Sequence, residues 1–511
     1  MAAEVSGAAF LAVIAAALLT LLLSVAIESL ITPRPPLARP WPEWGVHAGL
    51  CFVAHAALTL LLGRPWFAAV LVSAFLLMLA LVNNAKVKAL REPFVFQDYE
   101  YFTDAIRHPR LYIPFMGVVK FLLATAGFVF AIGIGLWGEA APVARFAWAG
   151  QLGGVLVSLA AGAALLMYGA CAALPVTMQP ERDIETLGFL ASLWRYAGAA
   201  RKAPDGVSPF AGLKPAPDVN PLPHLVAVQS ESFFDVRALY AGIDPAILSE
   251  YDRLKHDAAL HGKLTVPAWG ANTVRTEFAF LTGIDAAELG AHRFNPYRAM
   301  TAGWEVASLT AFLKRIGYRT VCVHPYPASF YQRHRVFPRL GFDAFLDIAF
   351  FENAAQFKPY VGDEAVAAKV ASILDQDSGP MFVFVITMEN HGPLHLETPE
   401  PGEIQRFYSE PPPSGCNDLT IYLRHLDNAD RMVASLRRTL AQCDRPAGLC
   451  WYGDHVPTMP AVYQTFGVPE GAVEFVLWDN RQGAQGGESR QRDLDAHQLS
   501  RIWLQTMGII A

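Results

Sequence analysis

The stretch "HLVAVQSESF", residues 224–233, joins a short apolar run to a carboxylate, Glu231, that lies between two serines. The run has the length and the valine content of a buried strand. Four further runs of this kind follow it: "YRTVCVH" (318–324), "GPMFVFVIT" (379–387), "GLCWYG" (448–453) and "VEFVLWD" (473–479). Residues 426–443, "LDNADRMVASLRRTLAQC", have helical spacing of their apolar positions. Alternation of strands and helices predicts an α/β domain with a largely parallel sheet.

Polar side chains follow four of these predicted strands at the point where each strand ends. They are Glu231, then His324, then Glu389 with Asn390 and His391, and then Asp454 with His455. Any one of these endings is typical of a solvated turn. Together they indicate a shared site, because ligands of parallel sheets bind at the carboxyl ends of the strands. Carboxylates with an imidazole suit a divalent cation such as Mn²⁺, Mg²⁺ or Zn²⁺.

A candidate nucleophile lies in "GANTVRTEFAFLTG", residues 270–283, where a glycine-containing turn leads into a predicted helix. Thr273 at the start of that helix has two interpretations. It could be a helix N-cap, which is a common role for threonine. Alternatively, it could be a metal-bound alkoxide at a helix N-terminus, a position that favours phosphate.

The first 180 residues differ in character from the rest of the chain. The chain is 53% hydrophobic and 17% charged, which is a membrane-like balance. A helix needs roughly 20 apolar residues to cross the hydrocarbon core. Five runs without Lys, Arg, Asp or Glu therefore predict five transmembrane helices in residues 1–180, namely 5–27, 45–63, 65–82, 121–138 and 146–180.

Proline marks the boundary between the two parts of the chain. Residues 181–223 are predicted to be a proline-rich linker, because six prolines between Lys202 and Pro223 break any helix. Residues 224–511 then form the predicted catalytic domain. The net charge of −6 and the absence of a basic patch argue against a nucleic-acid partner.

Charge and cysteine usage leave two questions open. Five helices put the two ends of the chain on opposite sides, and the positive-inside rule would make the catalytic domain cytoplasmic. The loops on that side hold seven basic residues: Arg34, Arg39, Lys86, Lys88, Arg91, Arg107 and Arg110. The site chemistry favours the opposite, extracytoplasmic side. Of six cysteines, Cys416, Cys443 and Cys450 could pair or remain free thiols.

Five motifs together carry a resemblance to a known family. "ESF", "NTVRTEF", "HPYPASFYQRHRVFPRLGFDAFLD", "NHGP" and "GDH" occur in this order behind the predicted membrane helices. The chain resembles the lipoteichoic acid synthase and phosphoglycerol transferase group of the alkaline phosphatase/sulfatase superfamily. The resemblance implies an alkaline phosphatase/sulfatase-like α/β sandwich domain behind a five-helix transmembrane domain. It also implies one divalent ion, Mn²⁺ before Mg²⁺ or Zn²⁺, with the ligands Glu231, Thr273, Asp454 and His455.

The same resemblance assigns roles to further residues. Thr273 matches the nucleophile, and His324, Tyr331 and Arg333 match residues that hold the phosphoglycerol group. The family often has tryptophan at the position of Tyr331. His391 matches a phosphate-contacting histidine that can protonate the leaving group. Two other residues of "NTVRTEF", Arg275 and Glu277, could share in the site or be exposed helix residues.

The reaction implied by the resemblance takes place at a cell membrane, with the catalytic domain facing outward. A glycerophosphate group moves from phosphatidylglycerol, through a covalent Thr273 intermediate, to a glycan or polyglycerophosphate acceptor. A phosphoethanolamine transferase, a phosphodiesterase and a sulfatase remain alternatives. The sulfatase motif of Cys or Ser followed by x-P-x-R is absent around Thr273, which weakens sulfate-ester hydrolysis. A transporter is disfavoured because its helices should carry more polar residues.

Overall fold

The computed structural model describes ten stretches of the chain: residues 2–111, 117–139, 145–172, 174–217, 220–352, 354, 356–357, 359–376, 379–481 and 489–511. The chain divides into two compact units, Met1–Lys202 and Ala203–Ala511.

The first unit is helical. Four of its helices are long and apolar enough to cross a membrane, by length and composition, among the residues described: Ala3–Glu28, Trp41–Leu62, Pro65–Leu90 and Phe146–Cys171. The fifth predicted span lies in a 21-residue helix, whose described apolar part, Thr125–Gly138, is shorter. The helices of this unit are Ala2–Glu28, Trp41–Leu62, Pro65–Leu90, Tyr101–Arg107, Val118–Gly138, Arg145–Cys171, Pro180–Leu187 and Phe189–Ala199, with a 3₁₀ turn at Phe96–Glu100.

Glycine brings two of the long helices together. A Cβ atom added to Gly49 would lie 2.8 Å from the Gly162 carbonyl oxygen, and one added to Gly162 would lie 3.1 Å from the Gly49 carbonyl oxygen. The backbones of Trp41–Leu62 and Arg145–Cys171 can touch only because both positions lack a side chain. Small residues at such crossings are typical of helix packing in membranes.

The predicted linker contains regular structure in its first half. Residues 180–199 form two short helices that belong to the first unit, and the division between the units falls after Lys202. Inside this segment the Tyr196 hydroxyl donates to Asp183 at 2.6 Å. The linker limits of 181 and 223 remain a prediction.

Among its described residues, the second unit contains a mixed sheet of nine strands. They are β1 His224–Ser230, β2 Leu260–Thr265, β3 Arg319–Val323, β4 Ala344–Leu346, β7 Met381–Ile386, β8 Ala447–Gly453, β9 Val473–Asp479, β10 Arg490–Gln491 and β11 Leu494–Asp495; β5 Gln356–Phe357 and β6 Tyr360–Val361 form a separate pair. The order in the sheet is β10-β2-β9-β8-β1-β7-β3-β4, with β11 paired to β2. Strands β8, β1, β7, β3 and β4 are parallel, and β9 runs antiparallel to β8.

All five strands predicted from apolar runs are confirmed. They are β1, β3, β7, β8 and β9, and the first of these is buried at every position. The sequence did not indicate β2 or β4. The β2 segment, LHGKLT, mixes buried, half-buried and exposed residues, and β4 is three half-buried residues long, so neither has a continuous apolar run.

Helices cover both faces of the sheet. Consecutive strand residues point to opposite faces. Of the neighbours on β8, Tyr452 stacks on Phe280 of Thr273–Thr282, and Trp451 packs on Phe233, which in turn contacts Tyr251 of Ser249–His256. The predicted helix at 426–443 is the second half of Asn417–Ala441. The helices of this unit are Ser249–His256, Thr273–Thr282, Pro296–Thr301, Leu309–Arg315, Arg333–Val336, Asp363–Asp375, Glu403–Phe407, Asn417–Ala441, Pro460–Phe466 and Ala496–Thr506.

Candidate active site

Strand register brings two of the predicted metal ligands side by side. Strands β1 and β8 are parallel neighbours, and Ser230 at the end of β1 pairs with Gly453 at the end of β8. The residue that follows each strand is an acid, so Glu231 and Asp454 lie side by side at the same edge of the sheet. Ligand atoms of Glu231, Asp454 and His455 lie within 4.8 Å of one another, and all three side chains are buried.

The charges of this group are not balanced by the protein around it. One oxygen of Asp454, Oδ1, accepts from the backbone N–H of Ser232 at 2.8 Å. The other, Oδ2, is buried and has no hydrogen-bond partner among the residues that the structure describes. Burial and the neighbouring Asp454 raise the pKa of Glu231 to about 8. Two buried carboxylates that repel each other, one with an unpartnered oxygen, fit a site for a cation.

The imidazole of His455 is held in the form that can bind a metal. Its Nδ1–H donates to the Val456 carbonyl at 3.1 Å, so Nε2 carries the lone pair. Nε2 lies 3.4 Å from Asp454 Oδ2 and 3.7 Å from Glu231 Oε1. Such separations are those of atoms that share an ion with bonds of about 2.0–2.2 Å. The donor set therefore fits Mn²⁺, Mg²⁺ or Zn²⁺.

Thr273 is the first residue of a buried helix, Thr273–Thr282. The N-cap position is occupied by Asn272, whose backbone has the left-handed helical conformation and whose side chain makes no capping hydrogen bond. The N-cap interpretation of Thr273 is therefore wrong. Three residues further on, Thr276 Oγ1 donates to the Asp454 carbonyl at 2.7 Å. That bond ties the first turn of the helix to the chain segment that carries the candidate metal ligands.

Backbone strain marks the same region. Among the described residues of the second unit, the non-glycine residues with positive φ are Ser232 (52°), Asn272 (67°), Tyr331 (53°) and Gln332 (55°). Each of them is, or adjoins, a residue assigned to the site from the sequence. A conformation of this kind costs about 1–3 kcal/mol and persists where the surrounding structure enforces it, most often at functional sites.

Arg333 lies in a fully buried network. Its Nε and Nη2 donate to the two carboxylate oxygens of Glu277 at 3.2 and 2.9 Å. Its Nη1 lies 3.1 Å from His324 Nε2, and the Nδ1–H of His324 donates to the Ile386 carbonyl at 3.0 Å. Burial and the Arg333 charge lower the pKa of His324 well below its ordinary value, so this histidine is neutral. The Arg333 guanidinium also lies 5.2 Å from the ring centre of Tyr331.

His391 completes the set of predicted site residues. It is partly buried, and its Nδ1–H donates to the Gly392 carbonyl at 2.7 Å. Nε2 is therefore the nitrogen that can exchange a proton. Burial lowers the pKa of His391, while Asp454 acts to raise it and Arg333 to lower it. These interactions show that His391 lies in the electric field of both the candidate metal ligands and Arg333.

Two features were not deduced from the sequence. Arg275 and Glu277 are buried, so the exposed-helix interpretation is wrong for both. The reason is that every residue of Thr273–Thr282 is buried, which no amphipathic pattern indicates. All six cysteines lie within the described residues and are free thiols, so the pairing of Cys416, Cys443 or Cys450 does not occur.

The fold and the site define a class: a helical unit with membrane-length apolar helices, followed by an α/β sandwich with a candidate metal centre at the carboxyl ends of its central strands. A family model described as Sulfatase matches residues 223–509. The chain belongs to this family and is a membrane protein of the alkaline phosphatase/sulfatase superfamily. The superfamily that the five motifs indicated is thereby confirmed, and the lipoteichoic acid synthase and phosphoglycerol transferase group within it stays a prediction.

Relatives of known name extend the comparison. The chain is 28% identical to the capsular polysaccharide biosynthesis protein RkpI of Rhizobium meliloti over 466 residues, which is 85% of this chain and 82% of the relative. It is 24% identical over 278 residues to a putative cyclic β-1,2-glucan modification protein of the same organism, covering 51% of this chain and 42% of that relative.

Two solved structures are similar in fold. The lipooligosaccharide phosphoethanolamine transferase EptA of Neisseria meningitidis, an integral membrane protein, has a TM-score of 0.56 at 12% identity, over 96% of this chain and 95% of that one. The phosphoglycerol transferase GacH of Streptococcus pyogenes, in complex with sn-glycerol-1-phosphate, has a TM-score of 0.48 at 20% identity, over 56% of this chain and 75% of that one. At this identity the likeness to EptA shows the fold alone.

Proposed function

We propose that the protein is a membrane-anchored, metal-dependent phosphotransferase that moves a phosphoglycerol group from phosphatidylglycerol to a glycan acceptor. The observation that carries the proposal is the buried, charge-unbalanced group of Glu231, Asp454 and His455, tied to the first turn of the Thr273 helix. A lipid donor explains why such a domain would follow apolar helices of membrane length.

Four residues would hold the divalent ion: Glu231, Thr273, Asp454 and His455. Mn²⁺ is the first choice, with Mg²⁺ or Zn²⁺ as alternatives. When bound, the ion lowers the pKa of the Thr273 hydroxyl and polarises a phosphoryl oxygen.

The chain's own residues then divide the reaction into two displacements. In the first, a bond forms between Thr273 Oγ and phosphorus while the bond from phosphorus to the diacylglycerol oxygen breaks. Thr273 would enter this step as the alkoxide, its proton having passed to solvent, and His391, protonated at Nε2, would donate a proton to the leaving oxygen. In the second, an acceptor hydroxyl attacks phosphorus, His391 takes its proton, and Thr273 is released.

Charge stabilisation falls to the buried network of Arg333, Glu277 and His324. Arg333 is charged and presents N–H groups that suit phosphoryl oxygens. Tyr331 lies against Arg333 and would contact the glycerol. His324 accepts from Arg333 Nη1 through Nε2 and would take part in phosphate binding by orienting that guanidinium.

The acceptor is proposed from the relatives. RkpI is named for capsular polysaccharide biosynthesis and the second relative for glucan modification, and both names concern glycans. A glycan acceptor is therefore preferred to a growing polyglycerophosphate chain. Glycans of this kind lie outside the cytoplasm, so we place the catalytic domain on the extracytoplasmic side, against the count of basic loop residues.

The test uses the full-length protein in phosphatidylglycerol liposomes with Mn²⁺ and a labelled head group. We expect an intact-mass increase of one glycerophospho group, mapped to Thr273, together with release of diacylglycerol. Thr273→Ala should form no adduct, and Thr273→Ser, which keeps a hydroxyl, should retain part of the activity. Turnover of phosphatidylethanolamine but not phosphatidylglycerol would replace the donor with the phosphoethanolamine alternative. Turnover of neither lipid by the Mn²⁺-loaded protein would overturn the proposal.

A further inference from the structure

We infer that Glu277 is a positioning residue that fixes the guanidinium of Arg333 relative to Thr273, and so sets where the phosphoryl group binds. This inference rests on the proposed function, because it assigns Arg333 to the phosphoryl group.

The first argument is the geometry of the contact. The two carboxylate oxygens of Glu277 accept from Nε and Nη2 of Arg333 at 3.2 and 2.9 Å, which is the paired arrangement of a carboxylate and a guanidinium. Their side chains are 0% and 1% exposed. A paired contact of two planar groups fixes the direction of the guanidinium as well as its position.

The second argument is the element that carries Glu277. Thr273 and Glu277 are four residues apart on one helix, so they lie on the same face about 6 Å apart along the axis. The proposed nucleophile and the residue that holds the proposed phosphate clamp are therefore parts of one rigid turn. A shift of that turn moves both together, which keeps their spacing constant.

The third argument is the number of N–H donors that the Arg333 guanidinium still has available. Two of its five N–H donors are used by Glu277 and one by His324 Nε2. Two donors are left, which is the number that a two-point contact with phosphoryl oxygens requires. Burial alone would lower the pKa of Arg333, but the Glu277 charge raises it, so the guanidinium stays charged.

The fourth argument is that stability does not explain the pair. A buried ion pair often adds less stability than apolar residues of the same volume, because both charges lose their hydration. Tyr297 is placed so that its hydroxyl also donates to Glu277 Oε1, which further restricts the carboxylate. We therefore explain the Glu277–Arg333 pair by the orientation that it gives to the guanidinium of Arg333.

The discriminating variant is Glu277→Asp, which keeps the charge but draws the carboxylate back by one methylene. We expect at least a 10-fold loss of kcat/KM for phosphatidylglycerol and at least a 10-fold weaker affinity of the Mn²⁺-loaded, full-length protein for inorganic phosphate. Mn²⁺ affinity and thermal stability should stay close to wild type. Tyr297→Phe is the milder variant, since it removes one hydrogen bond and leaves the ion pair, and it should lose about 2- to 5-fold in both readouts.

A chemical rescue separates positioning from a structural role. Added guanidinium should restore part of the activity of Arg333→Ala but not of Arg333→Ala/Glu277→Ala, because the free cation would no longer be held. Unchanged phosphate affinity in Glu277→Asp, or equal rescue of the single and double variants, would overturn the inference. If wild type turns over neither lipid while Glu277→Asp still weakens phosphate binding, the donor assignment fails and the positioning role stands. Should Glu277→Asp not fold, the Tyr297→Phe phosphate affinity decides, and an unchanged value would overturn the inference.

Discussion

Two buried carboxylates at the same edge of the sheet differ in the side chains that surround them. Glu231 follows β1 and Glu389 follows the neighbouring strand β7. Glu389 accepts from the Asp363 backbone N–H at 2.7 Å, from Asn428 Nδ2 at 2.5 Å and from His425 Nδ1 at 3.3 Å. Each acid has a buried carboxylate neighbour with an unpartnered oxygen, Asp454 Oδ2 beside Glu231 and Asp363 Oδ1 beside Glu389. Among the described residues, however, three metal-ligand side chains converge within 4.8 Å only around Glu231.

The surroundings of the two acids also shift the pKa values of Glu231 and of His425. Around Glu231, burial and a like charge act in the same direction and raise the pKa of the acid to about 8. Around Glu389, burial alone would lower the pKa of His425, but Glu389 and Glu397 raise it, so an imidazolium balances the carboxylates. A buried acid whose partners come from its own chain stabilises the fold. A buried acid whose oxygens converge with those of a second acid and with an imidazole indicates a bound cation.

The largest effect is expected from Asp454→Asn, which removes one of the two repelling charges and keeps an acceptor for Ser232. Mn²⁺ affinity and transferase activity should fall by about 10³-fold, because a ligand charge is lost. Without metal, the variant should be at least as stable as wild type, because the repulsion is gone. Calorimetric Mn²⁺ titration and thermal unfolding in chelator check both parts. Lower stability in chelator, with Mn²⁺ affinity intact, would contradict the comparison.

Glu389→Gln should give the opposite result. The side-chain amide would place an N–H group against the Asp363 N–H and would remove the charge that balances His425. We expect a loss of about 3 kcal/mol of unfolding free energy, with Mn²⁺ affinity within a few-fold of wild type. The matched control is Glu364→Gln, since Glu364 is 65% exposed on the same helix as Asp363 and should change stability little. Equal unfolding free energies for Glu389→Gln and wild type would show that the cluster is not structural.

Sequence alone could not separate these two acids. Both follow an apolar run, and continuous apolar runs were enough to find β1, β7 and β8 and hence both strand ends. The partners that distinguish them come from distant chain segments. His425 and Asn428 lie on Asn417–Ala441, and Asp454 lies 223 positions after Glu231. Pairing of β1 with β8 is a non-local choice that no local pattern records.

The same limit explains why the sequence left the role of Glu277 open. An ion pair buried between two helices gives no periodic signal, because the helix that carries Glu277 is buried on all sides. The motifs did locate Thr273 and Arg333 through the family resemblance. Their relation through Glu277 required the fold.

The pH dependence of metal-free stability sharpens the comparison further. Since the pKa of Glu231 rises from its ordinary 4.5 to about 8 in the folded protein, the folded state holds a proton between these values that the unfolded state has lost. Stability in chelator should therefore fall as pH rises from about 4.5 to about 8. Thermal unfolding at intervals across this range measures the slope, and saturating Mn²⁺ should reduce or reverse it. Asp454→Asn should flatten the slope, because it removes the neighbouring charge that helps to raise the pKa. A slope of equal size in Asp454→Asn would show that burial alone is responsible.

The smallest effect is expected at the residue that links the two acids. Thr387 lies two positions before Glu389, and its Oγ1 accepts from the backbone N–H of Glu231 at 2.9 Å. Thr387→Val keeps the shape but leaves that buried N–H without an acceptor, which should cost about 1 kcal/mol of unfolding free energy. Because the bond orients the start of the Glu231 turn and carries no charge, Mn²⁺ affinity should fall no more than about 3-fold. Thr387→Ser restores the acceptor and should recover the Mn²⁺ affinity. A loss of Mn²⁺ binding in Thr387→Val as large as that in Asp454→Asn would mean that backbone position, and not the unbalanced charge, determines whether this edge of the sheet binds a cation.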